Sequence, residues 1–184
     1  MTTRTDVYRV DGVPPDLREQ IDATSRAVFP NVDGNGVDEN GIEWINGDWC
    51  VIAWNGDTWG GYAEIGRREI QVGGKTITVG TVGGVMTHPD MRGIGLGKAV
   101  MRHVADVICR DLKADAGMLF CAKETIPYYE SVGWYELQRK ITYHQSDGER
   151  VMDTRGHMDG YSMFRPCREF MFPFGAIDVG GKLW

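Results

Sequence analysis

The chain of 184 residues is long enough to bury a sizeable core and fits one domain spanning 1–184. With 42% hydrophobic and 25% charged residues it has the composition of a soluble globular protein, and no apolar run approaches the roughly 20 residues of a membrane helix. A formal net charge of −6 argues against a nucleic-acid partner, which needs a basic stripe, and is compatible with a cationic small molecule.

The opening residues, "MTTRTDVYRVDG", contain no apolar stretch of the kind a secretory signal needs. Pro14 to Phe29 reads as a helix, with proline at its start and Leu17, Ile21, Ser25 and Val28 at helical spacing. Pro30 to Asp48 is too rich in Gly, Asn and Asp for a regular element. It carries Asp33, Asp38, Glu39, Glu43 and Asp48 without a single Lys or Arg, so it is either a solvated acidic loop or a cation-binding lip. Three strands follow, Trp49–Trp54, Thr58–Val72 and Thr76–Thr87, joined by "NGD" and "GGK" turns into an antiparallel meander. Gly83 and Gly84 interrupt the third strand, where paired glycines suggest a bulge.

From Gly95 to Leu112 the pattern is helical, with Leu96, Val100, Val104, Ile108 and Leu112 on one face. Gly117 to Ala122 is a short buried strand, and "TIPYYESVGW" a short helix whose C-cap is Gly133. "WYELQRKITYH" returns as a strand, and "SDGERVMDTRGHMDG" reads as a loop. "YSMFR" and "EFMF" suggest final strands, and no internal repeat is evident. The four cysteines, Cys50, Cys109, Cys121 and Cys167, show no C-x-x-C spacing and no paired histidines. Neither a metal site nor a disulfide framework is therefore expected, and a cytoplasmic, reducing setting fits best.

The segment "THPDMRGIGLGKAV" has the look of a phosphate loop. An ATP-binding loop would need glycine where Arg92 stands and a hydroxyl where Ala99 stands. A dinucleotide fingerprint would need glycine at Lys98 or Val100. What remains is R-x-x-G-x-G, Arg92 with Gly95 and Gly97, between a strand and a helix. Uncovered N–H groups and the helix dipole favour an anion there, and Arg92 adds a charged donor.

In this segment, and in "PYYESVGW" further along, the chain resembles the acetyl-CoA-dependent N-acetyltransferases of the GNAT superfamily. The resemblance covers roughly Trp49 to Tyr143. It implies an α/β (α+β) fold: a mixed, mostly antiparallel twisted sheet flanked by helices, with a splayed central strand pair. It implies acetyl-CoA as co-substrate, its pyrophosphate on Arg92, Gly93, Ile94, Gly95, Leu96, Gly97 and Lys98. The pantetheine arm would lie between Val85, Met86 and Thr87 on one side and Cys121 and Ala122 on the other. Attack by the amine is direct, in a ternary complex, with the Val85 N–H as oxyanion donor and Tyr129 as general acid and thiol neighbour. Glu43, Asp38 and Asp48 are candidates for the base, acting through water. His88, His103, His144 and His157 are read as structural, as is Cys121, which has no motif-placed histidine to activate it.

The acidic loop, the tyrosine helix and the ending "GGKLW" are similar to the aminoglycoside 2′-N-acetyltransferase branch. That similarity implies Glu43, Asp38, Asp159 and Trp184 as contacts for a polycationic amine. Where the branch carries a glutamate just before "G-V" this chain has Gly83, which with Gly84 would lie against the acceptor. The alternatives are another small amine, such as a peptide antibiotic, polyamine or amino sugar, or a non-catalytic acyl-CoA-binding module. Dimers are common in the superfamily, so a homodimer is compatible with the sequence.

Overall fold

The computed structural model describes residues 3–155, 160–168 and 171–184. Strand β1 (Thr3–Arg9) is followed by helix α1 (Pro15–Val28), the acidic loop, and the meander β2 (Trp49–Asn55), β3 (Thr58–Val72) and β4 (Lys75–Thr87). Helix α2 (Leu96–Asp106) runs into a wider, π-type turn at Val107–Asp111 and leads to β5 (Ala116–Cys121) and the short α3 (Ile126–Glu130). The remainder is β6 (Tyr135–Glu136), β7 (Lys140–Gln145), β8 (Gly148–Asp153), β9 (Tyr161–Pro166) and β10 (Ile177–Asp178).

Among the described residues these strands form one mixed sheet in the order β6-β9-β5-β4-β3-β10-β7-β8. Strand β2 pairs with the first half of β3, and β1 lies outside β2. The pairs β4–β5 and β10–β7 are parallel, and the rest are antiparallel. The mixed, mostly antiparallel sheet with flanking helices agrees with the expected fold class.

Period-two alternation assigns the two faces. Val51, Ala53, Ala63 and Ile65 pack on the α2 side with Leu96, Val100 and Val104. Cys50, Ile52 and Tyr62 pack on the opposite side against Leu17 and Ile21 of α1. The even-numbered residues of β3 continue along that second face, where Ile70 and Val72 meet Ile177, Val179, Leu183 and Trp184. Helix α1 and the C-terminal segment thus cover two ends of one sheet face, and Glu64 lies on that face between them.

Several segments depart from expectation. The stretch after Gln145 forms β8, an edge strand held by β7 in full register; its polar residues are those of an edge with one wet side. "WYELQRKITYH" is not one strand: β6 pairs with β9, while β7 lies at the far end of the sheet. Of "EFMF", Met171 and Phe172 are not in a strand, and the first two residues lie outside the described set. Cys109 and Cys167, 58 residues apart, are joined by a disulfide that ties the turn after α2 to the end of β9. Such a long-range pairing is set by the fold and leaves no local spacing signal, so the expectation of no disulfide is corrected.

The acidic loop is also more ordered than its composition suggests. Asp33-Gly34-Asn35-Gly36-Val37 and Asp38-Glu39-Asn40-Gly41-Ile42 are tandem copies of D-x-N-G followed by a β-branched residue. In the first copy the Asp33 carboxylate accepts from the N–H groups of Asn35 and Val37 at 2.8 and 2.9 Å. In the second, Asp38 does the same for Asn40 and Ile42 at 2.9 and 3.0 Å. The main chain repeats too: Asp33 N–H donates to Val37 and Asp38 N–H to Ile42. An internal repeat therefore exists, but two copies of five residues give periodicity little to register.

Candidate active site

Strand β4 pairs with β5 only from Val79 to Val82, against Ala116 to Leu119. Beyond that point β4 runs on to Thr87 beside β3, while β5 stays with β9 to Cys121. The two strands have parted. The parting coincides with a bulge, because Tyr62 faces Met86 and Glu64 faces Gly83, leaving Gly84 and Val85 opposite the single residue Ala63. Gly84 supplies the φ of +57° that the bulge requires, a conformation costly for any residue with a Cβ.

A cleft of about 620 Å³ occupies the gap. Gly83, Gly84, Val85 and Met86 line one wall, with Cys121, Ala122 and Tyr129 across from them. Helix α1 and the acidic loop, including Asp38, also line it, as does Trp184 from the C-terminal segment. Because Tyr129 packs in the α2-side core, the cleft connects the two faces of the sheet.

The glycine loop opens α2 beside this cleft. Arg92, Gly93, Ile94, Gly95 and Lys98 are exposed, whereas the Leu96 side chain is sunk in the core as the first apolar residue of the helix. The first-turn N–H groups of such a helix have no intrahelical partner and point outward. Gly97 is the point of closest approach: a Cβ there would stand 2.9 Å from the Tyr128 hydroxyl and 3.0 Å from that of Thr87. Thr87 and Tyr128 thus converge on the helix start, a polar contact that the sequence alone did not assign to Tyr128.

Tyr129 is 7% exposed. Among the described residues its hydroxyl has no hydrogen-bond partner, although it lines the cleft. Burial, with the nearby Cys121 and Tyr128, raises its pKa well above the ordinary phenol value, so it remains a proton donor at every working pH. Burial pushes Tyr128 up to about 12 as well. The Cys121 thiol is also raised, chiefly by burial, which favours thiol over reactive thiolate.

The carboxylates are arranged differently from the sequence expectation. Glu43 is absent from the cleft lining; it is ion-paired with Lys182 and accepts from the N–H and hydroxyl of Ser146. Lys182 first, and then Ser146, lower its pKa to about 2. Asp38 reaches the cleft, but its oxygens are taken by Asn40, Ile42 and, at 3.1 Å, the Trp44 indole. Asp48 lies outside the lining, and Asp159 and His157 lie outside the described residues.

Glu64, which sequence reading passed over, faces the cleft instead. Tyr62 donates its hydroxyl to Oε1 at 2.8 Å, and the Gly47 N–H donates to Oε2 at 2.8 Å. A signal did exist: Glu64 is the only charged residue in the run from Trp59 to Gly66, whose neighbours are nearly all buried. Trp184 is 5% exposed, its indole donating to the Met118 carbonyl at 3.1 Å and its ring stacked near Phe120 and Arg68. Its main chain lies at the cleft floor, where its carboxyl carbon is 3.1 Å from where a Gly83 Cβ would stand. Residue 83 has no side chain because residue 184 occupies that space.

A family model described as an acetyltransferase (GNAT) domain matches residues 12–137. The chain belongs to the GNAT acetyltransferase family. It is an acetyltransferase, and enzymes of this family take their acetyl group from acetyl-CoA. Escherichia coli ElaA superposes with a TM-score of 0.59 at 15% identity, over 89% of this chain and 99% of its own. An acyl-CoA N-acyltransferase from Pseudomonas aeruginosa gives 0.56 at 16% identity, over 89% and 99%. A GCN5-related N-acetyltransferase from Anabaena variabilis gives 0.57 at 15%, over 76% of this chain and 34% of its own. These likenesses bear on the fold of this GNAT chain. No curated protein matches the sequence significantly. Among the described residues no helix is long and apolar enough to cross a membrane, and no His, Cys, Asp and Glu group is placed to hold a metal.

Proposed function

We propose that this GNAT enzyme transfers acetyl from acetyl-CoA to a primary amine of a small, multiply charged cation, by direct attack within a ternary complex. An aminoglycoside is the sharpest candidate. The observation that carries this reading is one cleft that joins the parted strands and Tyr129 to a carboxylate rim. Asp22, Asp33, Asp38, Glu39 and Glu64 line it, against Arg18 and Arg26, and Arg18 is already paired with Asp22. Such an excess of negative charge around a small cleft attracts and orients a polycation.

The residues present fit the co-substrate. When bound, acetyl-CoA supplies an acetyl group activated as a thioester. Arg92 and the first-turn N–H groups of α2 hold pyrophosphate, and Thr87 and Tyr128 flank that helix start. The main chain of Val85, Met86 and Thr87 guides the pantetheine arm toward Cys121 and Ala122. The Val85 N–H donates to the carbonyl oxygen as negative charge builds there. Tyr129 gives its proton to the departing sulfur. Gly83, Gly84 and the main chain of Trp184 form the floor on the acceptor side, with the C-terminal strands completing it.

A thiol-release assay with acetyl-CoA and a panel of tobramycin, spermidine, lysinamide and glucosamine tests this reading. Release with a polycation, and little with glucosamine, is the expected pattern. Release with none of the four but with a protein N-terminus would overturn the small-cation assignment.

A further inference from the structure

We infer that Glu64 accepts the proton of the substrate ammonium and that Tyr62 is the positioning residue that holds it for this role. The inference rests on the reading of the cleft as the acceptor site of an acetyltransferase. Three independent features point to it.

First comes placement. Glu64 stands across from Gly83 in the β3–β4 ladder, and a Cβ at Gly84 would be 3.9 Å from its carboxyl carbon. It is therefore beside the bulge whose next residue is Val85. Second comes substitution of one strand for another: β4 offers no side chain at either glycine, and Trp184 fills the space at Gly83. The side-chain carboxylate at the bulge, that of Glu64, is supplied by the neighbouring strand. Third comes preorganisation. Tyr62 is 3% exposed and fixes one oxygen. The other is fixed by Gly47, whose own Cα lies flush on Ile65, where a Cβ would stand 2.6 Å from main-chain atoms. Each oxygen keeps a lone pair for a further donor. Asp38 and Glu43, by contrast, are committed to the scaffold.

The groups facing Glu64 come from each element around it. Arg18 of α1, paired with Asp22, lies within electrostatic reach, as do Tyr62 on its own strand and Cys50 on β2. Strand β4 contributes the two glycines, the acidic loop the Gly47 N–H and, around the same cleft, Asp33, Asp38 and Glu39, and the C-terminal segment the main-chain carboxyl group of Trp184.

The protons balance. An alkylammonium, R–NH3+, gives one proton to Glu64 and becomes nucleophilic. The C–N bond forms and the C–S bond breaks. The nitrogen's second surplus proton replaces the one that Tyr129 gives to sulfur. The products are the N-acetylamine, free CoA thiol and one proton, which Glu64 returns to water.

The test is Glu64→Gln in the full chain, with Tyr62→Phe as the milder variant. The probes are spermidine and O-methylhydroxylamine, an amine already uncharged at neutral pH. With spermidine near pH 7, Glu64→Gln lowers kcat/KM about 100-fold, the low end for a general base, and Tyr62→Phe lowers it less. Raising the pH toward the free-amine form of spermidine narrows both deficits, and O-methylhydroxylamine shows little deficit at any pH. The KM for acetyl-CoA stays unchanged, which establishes that each variant is folded. Equal deficits with both amines at all pH values would overturn the inference and leave acetyl transfer standing. Wild-type silence with every amine, by contrast, would overturn the reading on which it rests.

Discussion

At the residue scale, the cleft is controlled by a few positions where one atom decides the outcome. Tyr129 lines the cleft in its protonated form, because burial raises its pKa. Tyr129→Phe removes the proton and little volume. It should lower kcat by about 100-fold while leaving KM for acetyl-CoA within about 3-fold, read by steady-state thiol release. Gly83 is decided by sterics instead. Gly83→Ala forces its methyl to 3.1 Å from the Trp184 main-chain carboxyl carbon, tighter than ordinary contact. The expected result is a raised KM for the amine with acetyl-CoA unaffected, at a cost of about 1 kcal/mol or more in stability. An unchanged amine KM would show that Trp184 does not shape the acceptor side.

Elements set those residues in place. The long β3 carries the site because it pairs with β4 along nearly its whole length and with β2 and β10 at its two ends. The glycine loop, the meander and the tyrosine helix were legible in sequence because each has a local signature: turn residues, period-two or period-3.6 patterning, and Gly133 as a left-handed cap. What stayed illegible is non-local. Glu64 draws its meaning from two glycines on another strand and a loop N–H, and Glu43 is paired with Lys182, 139 residues away. The Cys109–Cys167 link is of the same kind. In the chain-entropy account a closed loop of this length contributes at most about 4 kcal/mol. Cys167→Ser, or reduction of the native protein, should therefore lower Tm by roughly 10 °C in a melt with and without reductant. An identical Tm would mean that this pair does not stabilise the fold.

For the whole molecule, one sheet face is closed at one end by α1 and at the other by the C-terminal segment, and the acidic loop bridges them. That bridge includes Ile45 N–H donating to the Leu183 carbonyl and the Glu43–Lys182 pair, while Arg68 of β3 holds the C-terminal segment from below by bonding to the carbonyls of Val179 and Lys182. The Glu43–Lys182 pair makes stability depend on pH with a definite sign. The pKa of Glu43 in the folded chain is about 2, below the ordinary glutamate value of about 4.3. Its contribution is complete above that ordinary value and is lost as the pH falls toward about 2. The Tm gap between wild type and Glu43→Gln should therefore be open near neutrality and close in acid. A gap that widens in acid would contradict this account.

The central claim is that the gap between β4 and β5 is where acetyl-CoA meets an amine, with Tyr129 supplying the proton for the leaving thiol. The most direct measurement is thiol release from acetyl-CoA with tobramycin or spermidine, for wild type and Tyr129→Phe side by side. Amine-dependent release by the wild type, reduced about 100-fold in the variant with binding of acetyl-CoA retained, is the predicted result. Equal rates for the two proteins would contradict it.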